Sequence, residues 1–292
     1  MAVIDNTTVT NDVKNAALDV EFIENFKGEY DRLAEILGIF SPETMVAGHV
    51  LNQIEITGKL TDASDYAEGD EVPLSKYTVK KTPVDTIKVE PYRKLTTADA
   101  INAAGYEVAC LRTDAKMLSN VRTKIIDKFF AFLKNGTGSA NAKTLQAALA
   151  KVDATLGDTL EANGDETSNL VHFVNRQDAA DYLADAAIST QTMFGMTYLQ
   201  DFLGVQRVFL TNKIEAGSVF VTPTENIHIF GLDFANLATA GLPYATESNG
   251  LIGVAHTPAY NRVSVETHVI NGTVMLPEVT DYIVKGTIAP GA

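Results

Sequence analysis

Apolar residues recur at helical spacing in three long stripes. Phe22, Phe26, Tyr30, Leu33 and Leu37 form the first, within Leu18–Leu37, and Gly38 and Pro42 follow as stop signals. Leu111, Ala115, Leu118, Val121, Ile125, Phe129, Phe132 and Leu133 form the second, which Asn135-Gly136 closes. Thr113 or Asp114 can cap its start, and its roughly 20 residues would span about 30 Å. Leu145, Leu149, Val152, Leu156 and Leu160 form the third. A shorter helix is expected over Thr97–Ile101, ending near Gly105.

Elsewhere the period is two. Ile54, Ile56 and Leu60 open the first limb of a β-loop over residues 53–95, and in its return limb Ile87 and Val89 alternate with Thr86, Lys88 and Glu90. Further on, strand and helix alternate. Leu170–Val174, Val208–Leu210 and Val219–Val221 read as strands, with helices over about 177–189 and near Met196–Phe202. From Val263 the pattern is β alone: Val263, Val265, Thr267 and Val269 alternate, Asn271-Gly272 supplies a hairpin turn, and Val274 and Leu276 continue. Residues 1–15 are polar and read as an extended or mobile arm. Gly136-Thr137-Gly138-Ser139 reads as a flexible joint between domains.

Charge changes this picture in two places. Residues 61–75 carry five acidic residues (Asp62, Asp65, Glu68, Asp70, Glu71) and no basic one, whereas residues 76–95 carry six basic residues, among them Lys76, Lys80 and Lys81, against Asp85 and Glu90. A solvated loop is one reading of such blocks. The other is that limbs of opposite sign meet opposite patches on adjacent copies, which sets register and orientation. The exposed face of the helix that carries the second stripe likewise holds Arg112, Lys116, Arg122, Lys124, Lys128 and Lys134 against Asp114 and Asp127. Either these bridge to the rest of the chain, or they meet an acidic partner such as the N-terminal helix of another copy.

The 292 residues are 46% hydrophobic and carry a formal net charge of −14, which suits one large or two modest globular domains and disfavours nonspecific binding of nucleic acid. Cys110 is the one cysteine, so disulfides within the chain and cysteine-based zinc sites are excluded; its apolar setting reads as that of a buried small hydrophobe. No apolar stretch approaches the roughly 20 residues that span a bilayer. Without a signal-peptide pattern, a cytosol-like compartment is expected. The chain contains no Walker A loop, G-x-S-x-G elbow or H-E-x-x-H. Its five histidines are far apart, and the Asp62–Asp70 run lacks the spacing of an EF-hand. No catalytic residue, cofactor or metal is assigned, and the reading is that of a non-enzyme.

The order of these pieces resembles tailed-bacteriophage major capsid proteins of the HK97 fold, from about residue 18 onward. The residues that carry the resemblance are Glu68-Gly69-Asp70-Glu71-Val72-Pro73, His172–Asp178, Phe202-Leu203-Gly204-Val205 and Ala216–Val221. The resemblance implies an α+β chain with N-terminal arm and helix (1–47), E-loop (48–95), P-domain with spine helix (96–140 and 255–292) and A-domain (141–254). It implies pentamers and hexamers tiling an icosahedral shell around double-stranded DNA, with no sequence-specific DNA binding and no membrane. Glu68, Asp70, Glu71, Lys76, Lys80 and Lys81 would then be contacts between subunits, and Lys116, Arg122, Lys124 and Lys128 the basic face of the spine helix. With only about 17 residues ahead of the first helix, a separate scaffolding protein is expected, and a portal. Assembly would take place in the host cytoplasm, and the product would be the virion capsid. Lysine–asparagine crosslinks occur in some members, but no residue match here identifies an asparagine partner. An encapsulin-like nanocompartment shell is the alternative within the fold; a soluble α/β enzyme with a nonlocal site is the alternative outside it.

Overall fold

The computed structural model describes residues 7–8, 42–61, 71–72, 74–167, 169–185, 191–193, 196–198, 208–246 and 250–289. The expected helix within Leu18–Leu37 lies outside them, as does most of the N-terminal arm. In chain order the first elements are β1 (Thr7–Thr8), β2 (Glu43–Met45), β3 (Val50–Lys59), β4 (Lys76–Thr86) and β5 (Glu90–Thr97). Helix α1 (Ala98–Ala104) follows at once, because the Thr97 hydroxyl accepts from the Ala100 N–H and Gly105, at φ 83°, ends it. A π-helical stretch, Glu107–Arg112, leads into the long α2 (Thr113–Leu133).

Then come β6 (Gly138–Ala142), α3 (Leu145–Asn163), β7 (Leu170–Asn175), α4 (Arg176–Asp185), β8 (Gln191–Met193), β9 (Met196–Tyr198) and β10 (Val208–Thr211). Helix α3 starts on the Thr144 hydroxyl and stops at left-handed Gly164, where the N–H groups of Gly164 and Asp165 return to Glu161 and Leu160. The rest are β11 (Ser218–Pro223), β12 (Ile227–Leu232), α5 (Phe234–Thr239), β13 (Ala245–Thr246), β14 (Ile252–Ala259), β15 (Ser264–Asn271), β16 (Val274–Pro277) and β17 (Val284–Ile288).

Two five-stranded sheets organise these elements, one in the order β1-β5-β15-β14-β13 and the other β10-β7-β11-β17-β6. Successive residues of a strand face opposite sides, and the second sheet uses both. Phe173, Phe209 and Phe220 turn towards α2, where Phe129 and Phe130 meet Phe173 edge-on at 5.5 and 5.6 Å. Val174, Val219, Val221 and Val284 turn the other way, onto Leu149, Val152 and Leu156 of α3. The same core takes in Ile252 and Val269 of the first sheet. Helix α2 thus packs with residues of both sheets, and the last described strand, β17, lies within the second.

Several sequence expectations are corrected. The Gly136–Ser139 joint is packed, not flexible: a Cβ on Gly136 would fall 2.4 Å from the Ile283 carbonyl oxygen, and Gly138 opens β6, which pairs with β17. Asn271-Gly272 makes no hairpin. Strand β15 pairs with β14 and β5, whereas β16 pairs with β12, and Gly272 lets the chain cross against Lys88, whose carbonyl oxygen would lie 2.8 Å from a Cβ. Met196–Tyr198 is a strand paired with β8, not the start of a helix. Val263 is not part of a strand; it is exposed and left-handed at φ 47°. Neither Thr113 nor Asp114 caps α2, because the backbone is already helical at Arg112.

Candidate functional site

Strands β3 and β4 form a hairpin whose base belongs to the core and whose far end does not. At the base Leu51 and Ile87 are buried with Phe230, Leu232, Ile270 and Leu276. Ile87 also exchanges backbone hydrogen bonds with Gly48 and His49. The return strand therefore ends before Ile87; Ile87–Val89 is the junction to β5, not the strand itself. A bulge between Leu51 and Asn52 brings Asn52 opposite Pro83, and a bulged two-stranded hairpin, in which both strands are edges, tolerates proline. From there the register runs unbroken from Asn52↔Pro83 to Lys59↔Lys76. Ten residues at about 3.3 Å each carry the far end about 33 Å from the base. The Thr61 N–H on the Ser75 hydroxyl (2.9 Å) and the Thr61 hydroxyl on the Leu74 carbonyl (3.1 Å) close that end.

What the hairpin presents is apolar and basic together. Leu74 is 90% exposed, Val79 66% and Tyr77 59%. Leu74 lies just ahead of β4, and Lys76, Lys80 and Lys81 are exposed in β4 beside Tyr77 and Val79. A two-stranded hairpin is marginal in water by itself, and this one carries large apolar side chains that nothing in the described residues covers. Of the acidic limb, Glu71 is described and exposed. Glu68 and Asp70 lie outside the described residues, as does the whole Asp62–Asp70 run.

The basic face of α2 is largely occupied from within. Lys124 and Lys128 converge on Glu90 at the start of β5, Lys124 at 3.6 Å and Lys128 in close contact. Tyr92 joins them, its hydroxyl donating to Glu90 (3.1 Å) and accepting from Lys124 (2.8 Å). Burial works against the Glu90 charge, but the Lys128 hydrogen bond and ion pair outweigh it and hold the carboxyl below its ordinary range. Lys134 pairs with Glu215 at 3.0 Å. Lys116 and Arg122 also have interactions of their own. Cys110 is fully buried, as its apolar setting suggests.

Sequence reasoning missed one cluster. Asp114, counted among the exposed residues of α2, is 5% exposed and pairs with Lys94 of β5, while His256 Nε2 of β14 lies 2.8 Å from its other oxygen. The signal was present: Asp114, Leu118, Val121, Ile125 and Phe129 keep helical spacing, so the acid heads the stripe that turns inward. Leu111 and Ala115, by contrast, are exposed. Among the described residues, no three or more His, Cys, Asp and Glu side chains are grouped to hold a metal ion. An open cleft of about 440 Å³ is lined by Asp165, Glu166, Glu225 and Glu278. Asp165 accepts from the Tyr282 hydroxyl and Glu225 from Asn169 and Thr167, so these two carboxylates are already engaged.

No family model matches the chain, and no curated protein matches its sequence. Solved structures do match. The mature capsid of bacteriophage PhiM1 is similar over 86% of each chain, with a TM-score of 0.58 and 6% identity. A structure from Mycobacterium phage Patience covers 98% of this chain and 92% of its own, with a TM-score of 0.57 and 9% identity. The fold is the HK97-like capsid fold. The SrpI encapsulin of Synechococcus elongatus shares it over 86% of each chain, with a TM-score of 0.51 and 8% identity.

Proposed function

We propose that this protein is a phage major capsid protein, assembling through pentamers and hexamers into an icosahedral shell around double-stranded DNA. The observation that carries the reading is the hairpin. A base fixed in the core, a reach of about 33 Å and an exposed apolar and basic return strand suit a segment that lies over a neighbouring copy. Such a contact joins unlike surfaces and closes into rings. The likeness to the PhiM1 mature capsid supports the same reading.

In this reading residues 1–47 are the arm and first helix, and residues 48–95 the E-loop, with Glu68, Asp70, Glu71, Lys76, Lys80 and Lys81 as its contacts. Helix α2 is the spine and, with the sheet around β14 and β15, makes the P-domain. The region 141–254 is the A-domain, to which β17 contributes a strand. Lys116 and Arg122 remain candidates for contact with a neighbour, whereas Lys124 and Lys128 act first inside the subunit. The shell would be a non-catalytic component of the virion, assembled in the host cytoplasm with a separate scaffolding protein and a portal. It would enclose DNA without reading its sequence.

The likeness to the SrpI encapsulin favours a second reading, a nanocompartment shell that encloses protein. Purified particles separate the two. Nuclease-protected genomic DNA inside them supports the capsid, and a co-purifying protein cargo without DNA supports the compartment. A monomer or dimer with an enzymatic activity would contradict both.

A further inference from the structure

The turns ahead of α2 are wider than an α-helix allows. Glu107–Arg112 is π-helical, a form that holds one residue more than the α-helix over the same path and is often found at working positions. Across six residues the excess amounts to about 100° of rotation, one residue's worth.

Both ends of the stretch are built for a change of register. On the N-terminal side Gly105 sits at φ 83°, a backbone conformation open to glycine, with free space where a Cβ would be, and its carbonyl accepts from the Ala109 N–H at 3.0 Å. On the C-terminal side the carbonyls are served by side chains. The Thr113 hydroxyl bonds the Ala109 carbonyl at 2.7 Å and the Cys110 carbonyl at 3.0 Å, and the Lys94 ammonium both donates to that hydroxyl and reaches the Cys110 carbonyl itself at 3.2 Å. Lys94 is held there by Asp114, which His256 supports from β14. The fit is also incomplete: Arg112 Nε is buried without a hydrogen-bond partner. A buried unpaired donor is costly, which narrows the gap to any register that frees it.

We propose that Glu107–Arg112 is a two-register turn, π-helical while the Lys94 ammonium holds the Cys110 carbonyl and α-helical once that hold is withdrawn. Closing to the α-helix carries Tyr106, now 46% exposed, around the helix axis by about 100°. The surface ahead of α2 then differs between the two registers. The inference rests on local geometry and stands apart from the reading as a shell.

Two variants of the full chain test it. Lys94→Met/Asp114→Asn removes both charges and keeps the side-chain volumes close to the parent's. Its structure, at a resolution that shows carbonyl directions, is expected to contain α-helical bonding through residues 107–112 and a rotated Tyr106. A retained π-helix overturns the proposal. The second variant deletes Leu111, which is 48% exposed. Closing to the α-helix with one residue fewer leaves Tyr106 in place, so this variant is expected to fold with a Tm within about 5 °C of the parent. If only the deletion variant folds, a broken or π-helical segment in its structure overturns the proposal. Failure of both variants to fold overturns it too.

Discussion

The ring of Tyr77 lies against Gly58, its register partner across the hairpin; a Cβ on Gly58 would fall 2.1 Å from Tyr77 Cδ1. An aromatic ring laid over a glycine in the facing strand covers backbone that would otherwise be bare, and helps hold the register. Gly58→Val should push the ring off. Hydrogen exchange measured by mass spectrometry is expected to quicken over residues 50–59 and 76–86, while the Tm of the body stays within about 2 °C, because the outer hairpin is not part of the core.

Charge on the hairpin sets the register between copies in this account. Reversing Asp70 and Glu71 to lysine is expected to leave a folded subunit by circular dichroism and to block or misdirect assembly. Unchanged particle yield would contradict the charge-pairing role.

The buried pair Lys94–Asp114 gives a stability prediction. Lys94→Met strands the Asp114 carboxylate, whose side chain is 7% exposed, and should cost about 3–5 kcal/mol in denaturant unfolding. Lys94→Met/Asp114→Asn should recover most of that loss, since no buried charge is left unpaired. A single variant as stable as the parent would show that the pair is not buried in solution.

Acid should find the same site. Burial works against the Asp114 charge, but hydrogen bonds from Lys94 and His256 outweigh it and hold the carboxyl below its ordinary 3.8. A carboxyl depressed in the folded state contributes stability that is complete above its unfolded value and lost as pH falls through the folded one. Stability should therefore drop as pH falls below about 4, and less steeply in Asp114→Asn than in the parent. Equal slopes in urea titrations at graded pH would contradict this.

Much of the frame could be read from the chain because its signals are local. The stripe from Leu145 to Leu160 becomes a helix with all five of its apolar positions buried, and in the rear half of the Leu111–Leu133 stripe Val121, Ile125, Phe129 and Leu133 are buried and Phe132 half-buried. What escaped the sequence depends on distant partners. Asp114 is buried because His256, 142 residues away, and Lys94 meet it. Asn271-Gly272 favours a hairpin locally, yet the strands beside it belong to different sheets. Gly136 looks flexible until Ile283 packs on it. The hairpin itself was legible as a charge-sorted β-loop, but its return strand was placed too late, because Ile87 alternates like a strand residue while serving as a core anchor.

The central claim is that the β3–β4 hairpin joins one copy to the next. Sedimentation velocity on the parent and on a variant with residues 53–82 replaced by Asn-Gly, which removes the outer hairpin and keeps its base, tests it most directly. Megadalton shells or capsomer rings are expected for the parent and a folded monomer for the variant. A monomeric parent, or a variant that assembles as well as the parent, would contradict it.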